Sequence, residues 1–291
     1  MWDSRFTLSA PGVEYTFGAG TGAKIASTKP AGIERETKRQ LRGDGRGYHL
    51  QKDLLKPGVW EWDLILFEHE GITPRGQLDR LQGAWTAARK SGETALLRWD
   101  SDEDEKLIIG RPGRLQANDL NVAERWGFIR VAVQFEAMTN TVMGGYEKQV
   151  TTVSTRPLPS EGFVFPLEFP LFFQHSTHRS QNVVLADNRG TVDAPAKVRF
   201  YGPCVHPTVT IGRTNVRLLG QLRKGETVTV DPFNKTILDN SGRSRHDMLD
   251  PWTPLSELVV PPGLTEVTVK ADYGSYEKVV GSVYWRDTWP A

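Results

Sequence analysis

A chain of 291 residues is long enough for two domains of ordinary size, and its 36 Lys and Arg against 35 Asp and Glu leave a formal charge of +1. That balance excludes the electrostatic footprint of a protein built to grip nucleic acid or an anionic membrane. Cys204 is the only cysteine, which excludes an intrachain disulfide, and the lack of any run of about 18 apolar residues excludes a membrane-spanning helix.

The opening Met1-Trp-Asp-Ser-Arg-Phe6 shows no basic segment followed by an apolar one, so no secretory signal is visible and folding in a cytoplasm is expected. Phe6 to Ser9, the Pro11-Gly12 pair and Val13 to Phe17 read as strand, turn and strand. Residues 18–47 hold glycines and charges with little apolar periodicity, and are strongly basic from Arg35 to Arg46. They read as a long loop or an arm rather than a core element, because long structureless loops in compact domains usually carry a function. Val59 to Phe67 alternates at first and then becomes apolar throughout, the pattern of a strand buried on at least one face.

One segment has helical periodicity. Leu78, Leu81, Trp85 and Ala88 fall on a single stripe, with Arg89 and Lys90 in the last turn and Gly92 just beyond. The stripe predicts a helix lying on a sheet with Trp85 inward. Ala95 to Trp99 and Lys106 to Ile109 then form a hairpin around the acidic run Asp100 to Glu105. Gly110-Arg-Pro-Gly-Arg114 is expected to break the chain. A long strand follows within 126–135, with Ile129, Val131, Val133 and Phe135 on one face and Phe128, Arg130, Ala132 and Gln134 on the other.

After Met138 the composition turns polar and then rich in Pro and Phe up to residue 182, which places a domain boundary near 150–157. The expected domains are 1–150 and 157–291. The second is a series of short strands at 183–185, 197–202, 207–212, 215–222, 226–231, 235–238, 257–260, 265–271 and 281–286. Its stretch 198–231 shows clean alternation of Val and Thr bounded by Gly and Pro, the mark of a half-buried antiparallel sheet. Regular short strands with turn chemistry between them predict a β-sandwich.

Patterns that would carry chemistry fail on spacing or context. Gly18 to Lys24 is rich in glycine, but its Lys is misplaced for a phosphate loop, no Ser or Thr follows it, and no βαβ unit surrounds it. Asp100, Asp102 and Asp104 have the odd-position spacing of a calcium loop, yet Glu105 stands where the turn needs Gly and Arg111 where the ion needs a bidentate Glu. His175, His178, Cys204 and His206 lack zinc spacing. His69 between Glu68 and Glu70 could act as an oriented base only in a convergent pocket. Arg42-Gly-Asp44 is a tripeptide short enough to arise by chance. No catalytic residue, metal or cofactor is expected.

Three segments carry a resemblance. They are the helix Leu78-Asp-Arg-Leu-Gln-Gly-Ala-Trp85, the run Ile109-Gly-Arg-Pro-Gly-Arg114 ahead of the strand at 127–135, and Val198-Arg-Phe-Tyr-Gly-Pro-Cys-Val-His-Pro-Thr-Val209. Lys224 to Asp231 and Leu258 to Gly263 continue the third in order. Together they resemble the distal tail proteins of long-tailed bacteriophages, in particular the minor tail proteins of actinobacterial phages. The resemblance implies a mainly β chain of two domains: an N-terminal β-sandwich-like domain with one packed helix, and a C-terminal galectin-like antiparallel β-sandwich. It implies a virion protein without catalysis, forming a hexameric ring at the tail tip. The ring would join the tail tube to the hub protein, embrace its neighbours through an arm and let DNA pass through its lumen, and in some members the C-terminal domain would carry receptor-binding proteins or sugar-binding modules.

A ring needs heterologous interfaces with large apolar anchors. Trp60, Trp62, Trp99 and Trp126 are the candidate anchors, and Arg35, Arg39 and Arg42 the candidates in the arm near 18–47. The alternative is an adhesion module whose sandwich binds carbohydrate or a receptor through Tyr273, Tyr276, Tyr284 or Trp285. A glycoside hydrolase would need a carboxylate pair, for which Glu257 and Glu266 are the residues to test.

Overall fold

The computed structural model describes residues 4–32, 35–36, 39–42, 44, 46–50, 54–90, 94–100, 104–118, 126–155, 183–272 and 278–291. The chain divides into two compact units, one of residues 1–146 with 289–291 and one of residues 147–288.

The first unit is one antiparallel sheet curled around a helix. Its elements are β1 (Arg5–Ala10), β2 (Val13–Gly18), β3 (Ala23–Lys29), four short strands β4 (Arg35–Glu36), β5 (Arg39–Leu41), β6 (Tyr48–Leu50) and β7 (Leu54–Leu55), then β8 (Val59–Phe67), α1 (Pro74–Lys90), β9 (Ala95–Asp100), β10 (Glu105–Asn118), β11 (Phe128–Ala137) and β12 (Thr141–Gly144). The sheet runs β2-β1-β9-β10-β11-β8-β3, with β12 beside β10. Its two edges, β2 and β3, come into contact, and α1 packs on β2, β8, β10 and β11.

The helix starts where its chemistry dictates. The Thr73 hydroxyl accepts from the Gly76 N–H at 3.2 Å, and Pro74 takes the first helical position, where its missing N–H costs nothing. Leu78, Leu81, Trp85 and Ala88 are buried, as the stripe predicts. Trp60, Trp62, Leu64 and Leu66 of β8 meet Ile129, Val131, Val133 and Phe135 of β11 in the same core. Phe6, Phe17, Trp60, Trp62 and Trp99 form one aromatic cluster there, with ring centroids 5.3 to 6.0 Å apart.

Two expectations change in this unit. Residues 18–47 are not one loop. Ala23–Lys29 pairs with β8 as an edge strand, and only the pairs β4–β7 and β5–β6 stand apart from the main sheet among the described residues. Among the described residues, Arg35–Glu36 pairs with Leu54–Leu55 and Arg39–Leu41 with Tyr48–Leu50 as nested antiparallel ladders, and the inner hairpin closes where the Arg42 N–H donates to the Gly47 carbonyl at 3.0 Å. Nor does 110–114 break the chain. β10 runs through it with a bulge between Pro112 and Leu115, and Gly110 serves close approach: a Cβ there would overlap the Glu136 carbonyl.

The second unit is a two-sheet antiparallel sandwich. It holds β13 (Lys148–Thr155), β14 (Val183–Asn188), β15 (Ala194–Pro195), β16 (Lys197–Tyr201), β17 (Cys204–Val205), β18 (Thr208–Ile211), β19 (Thr214–Arg217), β20 (Gln221–Leu222), β21 (Thr227–Asp231), β22 (Thr236–Asp239), β23 (Val259–Val260), β24 (Gly263–Lys270) and β25 (Lys278–Trp285). One sheet runs β13-β25-β16-β21-β22 and the other β14-β24-β18-β19. Val198, Phe200, Val228, Val230 and Val283 of the first face Val209, Ile211, Val267 and Val269 of the second. The sheets meet closely at Gly281, where a Cβ would lie 2.8 Å from the Val209 side chain and 3.2 Å from that of Val269.

The boundary between units falls after Tyr146, ahead of the expected 150–157. Lys148–Thr155 pairs along its whole length with Lys278–Trp285, which commits it to the sandwich. The chain then ends back in the first unit. A last strand, β26 (Thr288–Pro290), pairs with β12, and the Lys106 ammonium sits 3.0 Å from the centre of the Trp289 ring. The Phe- and Pro-rich stretch at 157–173 lies outside the described residues.

Candidate functional site

The sequence motifs set aside for chemistry are placed as follows where they fall among the described residues. Lys24 is part of β3, with its ammonium 4.9 Å from the Phe67 ring centre, and the Thr21 hydroxyl donates to the Gly18 carbonyl at 2.9 Å to hold the turn before it. His69 sits half-buried in a tight turn and faces the exposed Glu70 at 3.9 Å. The His206 ring lies 2.6 Å from an Asp272 carboxylate oxygen, which also reaches Arg217 at 3.5 Å. Cys204 is buried, and burial pushes its thiol up to about 12, so it stays protonated at neutral pH and makes neither a nucleophile nor a ready metal ligand. Glu257 and Glu266 are both exposed. His175, His178 and residues 101–103 of the acidic run lie outside the described residues. Among the described residues, no group of three or more His, Cys, Asp or Glu could hold a metal ion. No described helix is long and apolar enough to cross a membrane.

The interface candidates separate into core and surface. Trp60 and Trp62 are 7% and 1% exposed, so they belong to the chain's own core and cannot anchor a neighbouring subunit. The reason was visible in the sequence. Both share a period-2 face with Leu64 and Leu66, opposite Glu61 and Asp63. Trp99 is half-buried on the same core, 5.5 Å from the Phe6 ring and 5.6 Å from that of Trp60. Trp126 is 72% exposed. Arg35 and Arg39 contribute backbone to β4 and β5, and Arg42 is an exposed residue at the hairpin's turn. Sequence reasoning passed over Tyr48, also exposed on the hairpin, and the exposed Tyr146, because an isolated aromatic in a polar stretch carries no periodic signal.

In the second unit, Trp285 is buried, and Tyr273 and Tyr276 lie outside the described residues. Tyr284 is half-buried on the outer face of the five-stranded sheet, with its hydroxyl 3.2 Å from that of Tyr201. Burial pushes the Tyr201 hydroxyl up, but its hydrogen bonds with Ser282, Tyr284 and Arg199 outweigh that and bring it below the ordinary tyrosine value. Burial and the neighbouring Tyr201 push Tyr284 above it. The Thr151 and Ser282 hydroxyls are 2.8 Å apart, and the Gln149 amide donates to both, at 3.1 and 3.3 Å.

No protein-family model and no curated protein matches the sequence. Solved structures do match the fold. The SPP1 Dit (gp 19.1) protein, described as a paradigm of hub adsorption apparatus in phages infecting Gram-positive bacteria, is 12% identical, with 97% of this chain and 98% of that one covered at a TM-score of 0.60. A chain of the phage P2 baseplate in its activated conformation with Ca is 6% identical, with 99% and 98% covered at a TM-score of 0.51. Such coverage spans both the helix-bearing sheet and the sandwich. The chain has the mainly β, antiparallel fold of the SPP1 Dit protein.

Proposed function

We propose that this chain is a structural virion protein of a phage tail tip, a distal tail protein that assembles into a ring, of six-fold symmetry, between the tail tube and the hub that carries the adhesion apparatus. The observation that carries it is the fold likeness to SPP1 Dit over nearly the whole of both chains. The first unit builds the ring. Its hairpin at 35–55 stands outside the main sheet among the described residues and presents Arg42 and Tyr48 to a neighbour, and Trp126 offers an exposed apolar anchor. The near-zero net charge suits a lumen through which DNA slides without sticking. No step of chemistry enters this role, and actinobacterial phages are its expected source.

Electron microscopy of the virion, with an antibody or tag on this chain, tests the proposal. A ring at the distal end of the tail is the expected result. Absence of the chain from virions, together with a monomer in native mass spectrometry at high concentration, would overturn it. Deleting 35–55 is expected to abolish ring formation while leaving the monomer folded, since those residues pair only with each other among the described residues.

A further inference from the structure

The outer face of the five-stranded sheet has an organisation that packing alone does not require. Ladder register sets three rows across it. The first holds Gln149, Tyr284 and Lys197, the second Thr151, Ser282, Arg199 and Thr229, and the third Val153, Val280, Tyr201 and Thr227. Tyr284 and Tyr201 thus belong to rows four residues apart, about 13 Å along a strand at roughly 3.3 Å per residue. Yet their hydroxyls are 3.2 Å from each other. Both side chains must therefore lean along the sheet toward one another and meet over the middle row. Ser282 reports the result. It points outward by register, but is only 1% exposed and hydrogen-bonds with both tyrosines.

What this leaves on the outer face is a pair of half-buried phenol rings joined through their hydroxyls, with Gln149, Thr151 and Arg199 in the same and the adjoining row. Lys197 is neutralised by Glu147 at 2.8 Å. The Arg199 Nε donates to the Thr229 hydroxyl at 3.1 Å, and its guanidinium lies 5.3 Å from the centre of the Tyr284 ring. No carboxylate pairs with Arg199 among the described residues. A protein partner usually needs a large apolar, desolvated centre, and this face offers hydroxyls, an amide and a cation around two rings, with only the half-buried Val153 and Val280 as aliphatic side chains. A pyranose fits it better. Its C–H face stacks on an aromatic plane, its hydroxyls exchange hydrogen bonds with the network, and an anionic substituent answers the guanidinium in a geometry Arg favours.

We propose that the outer face of the sheet β13-β25-β16-β21-β22, centred on Tyr201, Tyr284 and Arg199, binds an acidic glycan, with the sugar ring on the tyrosines and a carboxylate or phosphate on Arg199. The proposal does not depend on ring assembly, because every residue in it belongs to the second unit of a single chain.

The test uses the full-length protein in saturation-transfer NMR and calorimetric titrations. The probes are trigalacturonate, its neutral methyl ester, and maltotriose bearing a phosphate monoester. At least one acidic probe is expected to bind about tenfold tighter than the neutral ester, with salt weakening the acidic arm alone. Which acidic probe binds more tightly separates a carboxylate from a phosphate ligand. Arg199→Gln should bring the acidic-to-neutral ratio to about one, and Tyr284→Ala should weaken every probe by about tenfold or more. Tyr284→Phe, which keeps the ring, should retain the neutral contact and guards against a folding artefact. No binding of any probe, or binding lost in Trp252→Ala at an exposed aromatic elsewhere in the unit but kept in the platform variants, would overturn the proposal.

Discussion

The two units fill their cores in different ways. The first packs large rings: Phe6, Phe17, Trp60, Trp62 and Trp85 fill the space between the curled sheet and α1, while Tyr48, Trp126 and Tyr146 stay exposed. The second packs its sheets with Val, Ile, Leu and Ala around Phe200 and Trp285, holds Tyr201 and Tyr284 half-buried on an outer face and leaves Trp252 exposed. A sheet bent around a helix leaves an irregular, wide interior that large rings fill. Two sheets facing each other leave a thin, even layer suited to branched aliphatic side chains. The aromatic core has a cost. The indole N–H groups of Trp60, Trp62 and Trp85 find no partner, whereas in the second unit the Trp285 indole and the Arg217 Nε share that state among the described residues. Rings buried in a core build a scaffold, and rings held on a polar face are available for recognition.

The sharpest way to break this comparison is to exchange a buried ring for nothing. Trp62→Ala should cost about 3–5 kcal/mol, read as a fall in the urea midpoint, because the collapsed aromatic cluster cannot refill so large a space. Trp126→Ala, at a ring exposed on the same unit, should stay within about 0.5 kcal/mol of the parent while weakening assembly in native mass spectrometry. Equal losses from both would show that the division between core and surface is misdrawn.

The second unit is tested by overfilling rather than emptying. Gly281→Ala should destabilise by about 1–3 kcal/mol, since the added Cβ meets Val209 and Val269 across a layer with no spare room. Thr73→Ala removes the cap of α1 and should cost about 1 kcal/mol, with loss of helical signal confined to the first unit. The smallest effect is a slope with pH. Burial raises both Tyr15 and Cys204 to about 12, from ordinary values of 10.0 and 9.0. Both stay protonated in the folded chain while the unfolded chain ionises. Their contribution to stability is therefore constant well below pH 9, begins to fall as pH approaches the ordinary values of 9.0 and 10.0, and keeps falling toward pH 12. Tyr15→Phe should remove the first unit's part of that slope in urea titrations between pH 8 and 11. Cys204, in turn, should ignore thiol reagents at pH 8 until the protein is unfolded.

Legibility in the sequence followed the strength of the side-chain pattern. The faces of β8 and β11, the stripe of α1 and the Val-Thr strands of the sandwich all announce which side is buried, because burial is the main force that sets their periodicity. β3 announces nothing. Only Ala23 of its seven residues is buried, and what holds it in place is backbone pairing to β8, to which side-chain patterns are blind. β10 passes through Gly-Arg-Pro-Gly because a bulge absorbs the irregularity against β11, a partner chosen far along the chain. The candidate surface divides in the same way. Tyr284 stood out as an aromatic on a predicted strand, but its meeting with Tyr201 over Ser282 needs the register of β25 on β16.

The sequence by itself determined the class of fold and the inward faces of the long strands, since these depend on composition and on periods of two and 3.6 residues. The tertiary structure alone decided which tryptophans are core and which are free, that β4 to β7 pair with one another outside the main sheet, and that three strands distant in sequence align Gln149, Tyr284, Lys197 and Arg199 on one face. The reason is that strand pairing is fixed by contacts across long separations, and a shift of one residue in register would send each of those side chains to the opposite side of the sheet.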